Sequence, residues 1–411
     1  MDRREFLKLA GMAGAGAALG ATGCAAAAPP APSASSASPA PSASPARSAS
    51  PARSASPARS ASPAPAAIRY PRPLRKGDVI GVTAPSAGVG AELEPRLTFC
   101  LDTLRRLGYE PRLGRCLLSD KIVSAPAAER ARELTDMLLD DAIAAVFPPW
   151  GGELLIDIFP YLDFERLSRG APKWLIGYSD LATFMLPYTV LSGIATMHGG
   201  NLLESPIRPT APSLAWWGDV ARLPAGASFT QQAADLYQTH DVDWAKDPTA
   251  TSFDRTAPVV WKCLGHETDP GHTVTATGRL IGGTLDVIGM LPGTSYGDLE
   301  GFVAAYAPEG LLFYLDNCDF NPAQYCRMLH HLRLAGWFSH ANALLIGRTA
   351  AEDLREFTPR DALRDALGDL TIPIIYDMDI GHLPPQMILV NGAPATVRFS
   401  AAERSLTQQL A

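Results

Sequence analysis

The chain has 411 residues, and 42 acidic side chains against 35 basic ones leave a net charge of −7. That balance, with no basic cluster in the globular part, argues against a nucleic-acid partner. A hydrophobic fraction of 47% is enough for a large core. Beyond the first 24 residues no apolar run approaches the ~20 residues that cross a bilayer.

The chain opens with Arg3-Arg4-Glu5-Phe6-Leu7-Lys8 and a weakly apolar Ala/Gly stretch, the pattern of a twin-arginine export signal. Ala21-Thr22-Gly23-Cys24 resembles a bacterial lipoprotein cleavage site. Residues 1–24 are therefore read as a signal, with a lipid on Cys24 as membrane anchor and an extracytoplasmic location. The competing reading is an ordinary cleaved signal in which Cys24 has no task. Residues 25–66 are almost entirely Ala, Ser and Pro, with Arg47, Arg53 and Arg59 in register in a six-residue repeat. Such a composition cannot bury a core and is expected to be a disordered tether, extending at most ~3.1 Å per residue. Five cysteines remain, Cys100, Cys116, Cys263, Cys318 and Cys326. Their spacings match no zinc or redox pattern, and buried free thiols are expected.

From Ile68 the composition is globular. Asp78 to Pro85 reads as a buried strand, Leu93–Leu107 and Ala128–Leu139 as helices, and Ala144–Phe147 as a second strand. Trp150-Gly151-Gly152 opens a further helical segment. The run from Lys173 to Gly177 is a third strand, and Leu181–Leu191 is the helix that follows it. Ile194–Met197 is a fourth strand, ending in His198-Gly199-Gly200. Alternating strands and helices predict a parallel α/β sheet of Rossmann type over residues 67–205, where functional groups gather at strand C-termini. Residues 206–262 read as an irregular crossing that covers substrate. Residues 263–411 read as a smaller, β-rich α/β domain. Its strands are Gly278–Leu285, Leu311–Leu315, Ala343–Ile346 and Ile372–Tyr376, a helix spans Pro322–Leu334, and short strands Met387–Val390 and Thr396–Phe399 close it.

The segment Gly177-Tyr178-Ser179-Asp180 is the most informative. A serine on a strand-to-helix turn has its hydroxyl clear of the sheet, beside the free N–H groups of the next helix. Leu181 replaces the second glycine of the hydrolase G-x-S-x-G pattern, and most serines at such places only cap a helix. A serine nucleophile also needs a base and an acid. Asp316 follows a five-residue apolar strand, where an unpaired carboxylate is costly. His382 stands between Gly381 and Pro384-Pro385, and His198 is a rival base. His240, His266, His272 and His340 show no pattern, and His330 and His331 read as surface or packing residues on a helix. No H-E-x-x-H occurs and no pair of histidines has metal-ligand spacing with a carboxylate, so a metallopeptidase is unsupported and no metal is expected.

The ordered set of motifs resembles the LD-carboxypeptidases, the murein tetrapeptide carboxypeptidases. It comprises the Gly77-to-Ser86 opening, Gly151-Gly152, Gly177-Tyr178-Ser179-Asp180, His198-Gly199, Gly282-Gly283-Thr284-Leu285, Gly293-Thr294 and Gly381-His382. It runs from about Lys76 to Gly392, and the long middle segment is similar to the branch containing the microcin C immunity peptidases. The resemblance implies an active site between two domains, with a Ser-His-Glu triad. Ser179 and His382 match it directly, and Asp316 stands where the family has glutamate, with Asp319 as a substitute if the backbone runs differently. It further implies an oxyanion hole from the N–H groups of Gly152 and Asp180. Trp150, His198 and Gly199 are assigned to substrate binding.

The function so implied is release of a terminal D-alanine from a murein tetrapeptide, without a cofactor. A homodimer is the assembly carried forward. Two other readings stay open. One is the same chemistry on a peptide antibiotic or aminoacyl conjugate, with Trp216, Trp217 and Trp244 as a stacking surface rather than packing. The other is a catalytically weak lipoprotein that binds wall peptides. Arg327 and Arg348 are named for the substrate carboxylate by residue type alone, against a reading as surface or ion-pair residues.

Overall fold

A computed structural model describes residues 66–209, 213–240 and 242–411. The export signal, Cys24 and all but the last residue of the tether lie outside the described residues. Five short strands come first: β1 (Val79–Val82), β2 (Glu110–Leu113), β3 (Ile143–Val146), β4 (Trp174–Gly177) and β5 (Thr196–His198). They pair in parallel in the order β5-β4-β3-β1-β2. β3 and β4 are buried along their whole length, as continuous apolar runs covered on both faces should be. β2 was not expected from sequence; it is an exposed edge strand of mixed composition carrying Pro111. The segment after Gly152 is less helical than expected, a 3-10 stretch Leu155–Tyr161 and a five-residue helix Phe164–Ser168 capped by Asp163.

The remaining strands are β6 (Ser228–Gln232), β7 (Leu236–Tyr237), β8 (Ala257–Pro258), β9 (Lys262–Cys263), β10 (Val274–Thr284), β11 (Leu311–Asp316), β12 (Ala341–Gly347), β13 (Ile374–Met378), β14 (Leu389–Asn391), β15 (Pro394–Phe399) and β16 (Arg404–Gln409). Eight form a mixed sheet in the order β6-β16-β15-β10-β11-β12-β13-β9, with β10 to β13 parallel and the flanks antiparallel. Helices Pro322–Leu334 and Pro359–Leu367 connect its parallel strands. β6, β7 and β8 come from the segment read as irregular, and β9 begins at its last residue. β14 leaves the second sheet and pairs antiparallel with β5, Leu389 opposite His198, so a late strand completes the first sheet.

The second sheet buries both faces by strict alternation. Ile281, Phe313 and Leu344 join the core of the first sheet, while Leu280, Leu312 and Leu345 belong to a second cluster on the opposite face. The helix Ala182–Ser192 is apolar all round and lies between the sheets, which is where such a helix must lie.

Gly282 and Gly283 allow this packing. A Cβ on Gly282 would sit 1.9 Å from the carbonyl oxygen of Tyr314 on β11, and one on Gly283 would sit 2.8 Å from Cβ of Ala182. The bare backbone of β10 thus brings the end of β11 and the start of the helix together. Gly282→Ala is expected to lower stability by about 3 kcal/mol through overpacking against backbone that cannot yield. Urea unfolding of the variant beside wild type measures this, and an unchanged midpoint would contradict the close approach.

Candidate active site

β4 ends at Gly177 with φ +155, Tyr178 is extended, and Ser179 has φ +66. A non-glycine residue in the left-handed region is strained and needs surroundings that hold it. The turn is of the nucleophile-elbow kind, passing through a 3-10 stretch Ser179–Leu181 into the helix Ala182–Ser192. Gly151 lies directly against it, since a Cβ there would sit 2.8 Å from Ser179 Cβ, 3.0 Å from Ser179 Oγ and 2.8 Å from the Asp180 nitrogen. Gly152 follows with φ +149, facing Ser86 and the nitrogen of Ala87.

The Asp180 side chain ties the loops around the turn together. It accepts hydrogen bonds from Ser86 Oγ at 2.5 Å, the Leu155 nitrogen at 2.9 Å and Thr183 Oγ1 at 3.0 Å. Burial pushes its pKa up despite these donors. Trp150 anchors the neighbouring loop, its indole N–H donating to the carbonyls of Ala87 and Gly88, each at 3.1 Å. Gly199 donates its N–H to Gly177 and approaches Ile388, where a Cβ would meet the side chain at 2.5 Å.

Asp316 ends β11, fully buried. Its Oδ2 lies 2.7 Å from His382 Nδ1, and its Oδ1 accepts from Thr284 Oγ1 at 3.0 Å. Burial would raise its pKa, but the attraction of His382, the hydrogen bond to it, His198 and Thr284 together hold the carboxyl below its ordinary value. With Nδ1 turned to the carboxylate, Nε2 is the nitrogen left for proton transfer. The His382 ring packs 4.7 Å from that of Tyr178, whose hydroxyl donates to Glu204 at 2.7 Å. Ser179 from the first sheet and the Asp316–His382 pair from the second thus flank one junction.

His198 takes a different place. It is buried, Nε2 is 3.9 Å from Asp316 Oδ1, and among the described residues neither ring nitrogen has a hydrogen-bond partner. Burial drives its pKa down to about 4, against an opposing pull from Asp316, so the ring is neutral near pH 7.

Comparison with known proteins gives two matches that decide the family. Residues 80–199 match the LD-carboxypeptidase N-terminal domain, and residues 277–397 match the LD-carboxypeptidase C-terminal domain. The chain belongs to the LD-carboxypeptidase family. Residues 1–20 match the twin-arginine signal sequence, so this family member carries an export signal. A Vibrio cholerae protein classed as a carboxypeptidase is 26% identical over 80% of this chain and 95% of its own. The microcin C7 self-immunity protein MccF of Escherichia coli is 22% identical over 82% and 95%. The murein tetrapeptide carboxypeptidase of Pseudomonas aeruginosa is 24% identical over 58% and 66%. Among solved structures, an MccF-like protein from Bacillus anthracis superposes with a TM-score of 0.67 at 23% identity, covering 82% of this chain and 98% of that one.

In this family member the short side chain of Asp316 has a structural counterpart. A Cβ on Gly381 (φ +90) would fall 2.4 Å from Asp316 Cβ, and one on Gly347 would fall 3.1 Å from it. Both neighbours are pared to backbone, so the histidine loop comes in to the shorter acid. Asp319 is exposed, and its N–H donates at 2.8 Å to Asp286, a turn-holding residue that the sequence did not single out.

Arg348 is an ion-pair residue. It is buried, pairs with Asp379 at 2.8 Å and donates to the carbonyls of Leu383 and Pro385, both at 2.9 Å. It therefore holds the loop that carries His382. Trp216 and Trp217 are buried, and Trp244 packs under Arg96 with 4.0 Å from guanidinium to ring. Cys100, Cys116, Cys263 and Cys326 are buried free thiols as expected, whereas Cys318 is free but only partly buried.

Arg348→Met is expected to cost about 3–5 kcal/mol, because Asp379 is left buried and unpaired. Urea unfolding tests this, and wild-type stability would contradict the role given to the pair. His198 predicts an acid sensitivity. Its folded pKa of about 4 lies below the ordinary 6.5, so the unfolded chain takes up the proton first as pH falls. Stability from this group is complete above 6.5 and is lost on descent toward 4, by roughly 3 kcal/mol in all. Unfolding midpoints between pH 7 and 4 should fall less steeply in His198→Phe than in wild type. Identical slopes would contradict a neutral buried ring.

Proposed function

We propose that the protein is an exported serine carboxypeptidase that cleaves an L,D peptide bond, releasing a terminal D-alanine from murein tetrapeptides. The observation that carries this reading is the buried Asp316–His382 pair, 2.7 Å apart, facing the junction where Ser179 sits on a strained turn. Ser179 Oγ attacks the carbonyl of the scissile amide, and His382 Nε2 takes its proton. Asp316 holds the ring and stabilises the imidazolium. The backbone N–H groups of Asp180 and Gly152 receive the oxyanion. The proton passes from His382 to the departing amine, and water then hydrolyses the acyl-enzyme with His382 as base.

A cleft beside the junction is lined by Gly200, Glu204, Arg208, Trp216, Arg255 and Gln386. Arg208 stacks on Trp216 at 3.8 Å. Cations beside an apolar wall suit the free carboxylate that a carboxypeptidase substrate carries. Relatives named for murein peptides support this substrate class, and export to the wall side agrees with it. A lipid on Cys24 would keep the enzyme at the membrane.

Incubation of the protein with purified tri-, tetra- and pentapeptide muropeptides, followed by mass spectrometry, is expected to show D-alanine leaving tetrapeptides only. Ser179→Ala should abolish release, and Asp316→Asn should reduce it by about 10⁴-fold. Asp316→Glu should not act as an improvement, because Gly381 and Gly347 close on the shorter side chain. Intact tetrapeptides together with a Ser179 labelled by a serine-reactive probe would point to another amide. An unreactive Ser179 with muropeptide binding would replace the enzyme by a binder.

A further inference from the structure

The segment joining β9 to β10 is unused by the chemistry above and has an unusual composition. Cys263, His266, Asp269 and His272 follow one another at every third position within ten residues. All four residue types are metal donors, although their spacing matches no known ligand motif. The structure folds them together. Successive turns, closed by Asp269 N–H to His266 and His272 N–H to Asp269, stack the donors instead of spreading them along the chain. One ligand atom each from His266, Asp269 and His272 lies within 4.8 Å of the others. The two imidazoles are parallel, 3.7 Å between centroids. Cys263 Sγ lies 3.5 Å from His272 Nε2.

These separations can be compared with what an ion requires. Zinc–nitrogen and zinc–sulfur bonds of ~2.0 and ~2.3 Å at a tetrahedral angle place N and S roughly 3.5 Å apart. Cys263 and His272 already stand at that distance. Nitrogen and oxygen ligands would stand roughly 3.3 Å apart, so His266, Asp269 and His272 need to close by at most about 1.5 Å, and Cys263 joins them through its contact with His272. His266 and Asp269 are exposed, so side-chain rotation at the surface supplies that movement. Thiolate, imidazole and carboxylate together select a zinc-class ion over calcium or magnesium.

We propose that Cys263, His266, Asp269 and His272 form a structural site for one zinc-class divalent ion. The ion acts as a clip. Cys263 sits on β9 at one edge of the second sheet, while β10 lies on the far side of β11, β12 and β13. The connecting segment crosses those strands without a helix or strand of its own, and a four-donor ion would fix its path. The site stands apart from Ser179, Asp316 and His382, and it holds or fails independently of the proposed peptidase activity.

The test uses the full chain, stripped with chelator and titrated with Zn²⁺ by calorimetry, with the metal content of the dialysed protein measured. One ion per chain is expected, with a rise in melting temperature. Co²⁺ in its place should give a near-ultraviolet thiolate-to-cobalt band, absent in Cys263→Ser. The double variant His266→Ala/His272→Ala should bind at least about 100-fold more weakly. Singly, His266→Gln and His272→Gln provide milder changes if the double variant fails to fold, and each should lower affinity. Ser179→Ala should bind as wild type does. No stoichiometric uptake by the wild type overturns the proposal. So does uptake that survives the histidine changes, or that is lost instead on altering the other donor group, Cys326, His330 and Asp365.

Discussion

The interaction on which the site depends is the buried contact between the Asp316 carboxylate and His382. A charge at the end of a fully buried strand is unfavourable unless it is met, and here it is met from several sides at once. His382 arrives on a loop held by Arg348 and Asp379, Thr284 comes from the neighbouring strand, and His198 comes from the first sheet. The carboxylate is therefore a junction of both sheets, and the elements that surround it cannot be moved separately without exposing or orphaning it. The same arrangement leaves it ionised near neutrality, the state required to orient an imidazole.

Packing at this junction is made by removing side chains as much as by adding them. Gly282 and Gly283 bring β10 against β11 and against the helix that begins behind Ser179. Gly151 gives that serine room, and Gly381 with Gly347 brings the histidine loop onto Asp316. Each polar group is thus carried on rigid strand ends and approached by bare backbone. Positions are set by covalent geometry rather than by flexible side chains, which suits a site that needs preorganised groups.

Much of this was legible in the sequence because burial leaves a simple signature. The continuous apolar runs of β3, β4, β11 and β12 announced strands covered on both faces, and polar residues at or beyond the ends of β4, β11 and β13 drew attention to Ser179, Asp316 and His382. What escaped notice depends on contacts between distant parts. β2 and β6 are exposed edge strands with no alternation strong enough to read. The three-residue β14 is defined by its partner β5, not by its own composition. Positive φ at Ser179 is a tertiary constraint on a residue that does not favour it. Arg348 could be named by type, but only its pairing with Asp379 shows that it supports the loop and does not meet solvent. The donors from Cys263 to His272 were hidden because their spacing belongs to a loop path and not to a helix or a known motif.

The crossing of β14 bears on when the protein becomes complete. The sheet that carries Ser179 lacks its last strand until residues 389–391, almost 200 positions beyond β5, have emerged and paired with it. No fragment that stops before residue 391 can finish that sheet, so its closure is a non-local step. A chain bearing a twin-arginine signal is addressed to a route that carries folded protein. A chain truncated before β14 would present an open β5 edge to that route, so the wholeness of the sheet that carries Ser179 is tied to a segment almost 200 positions downstream.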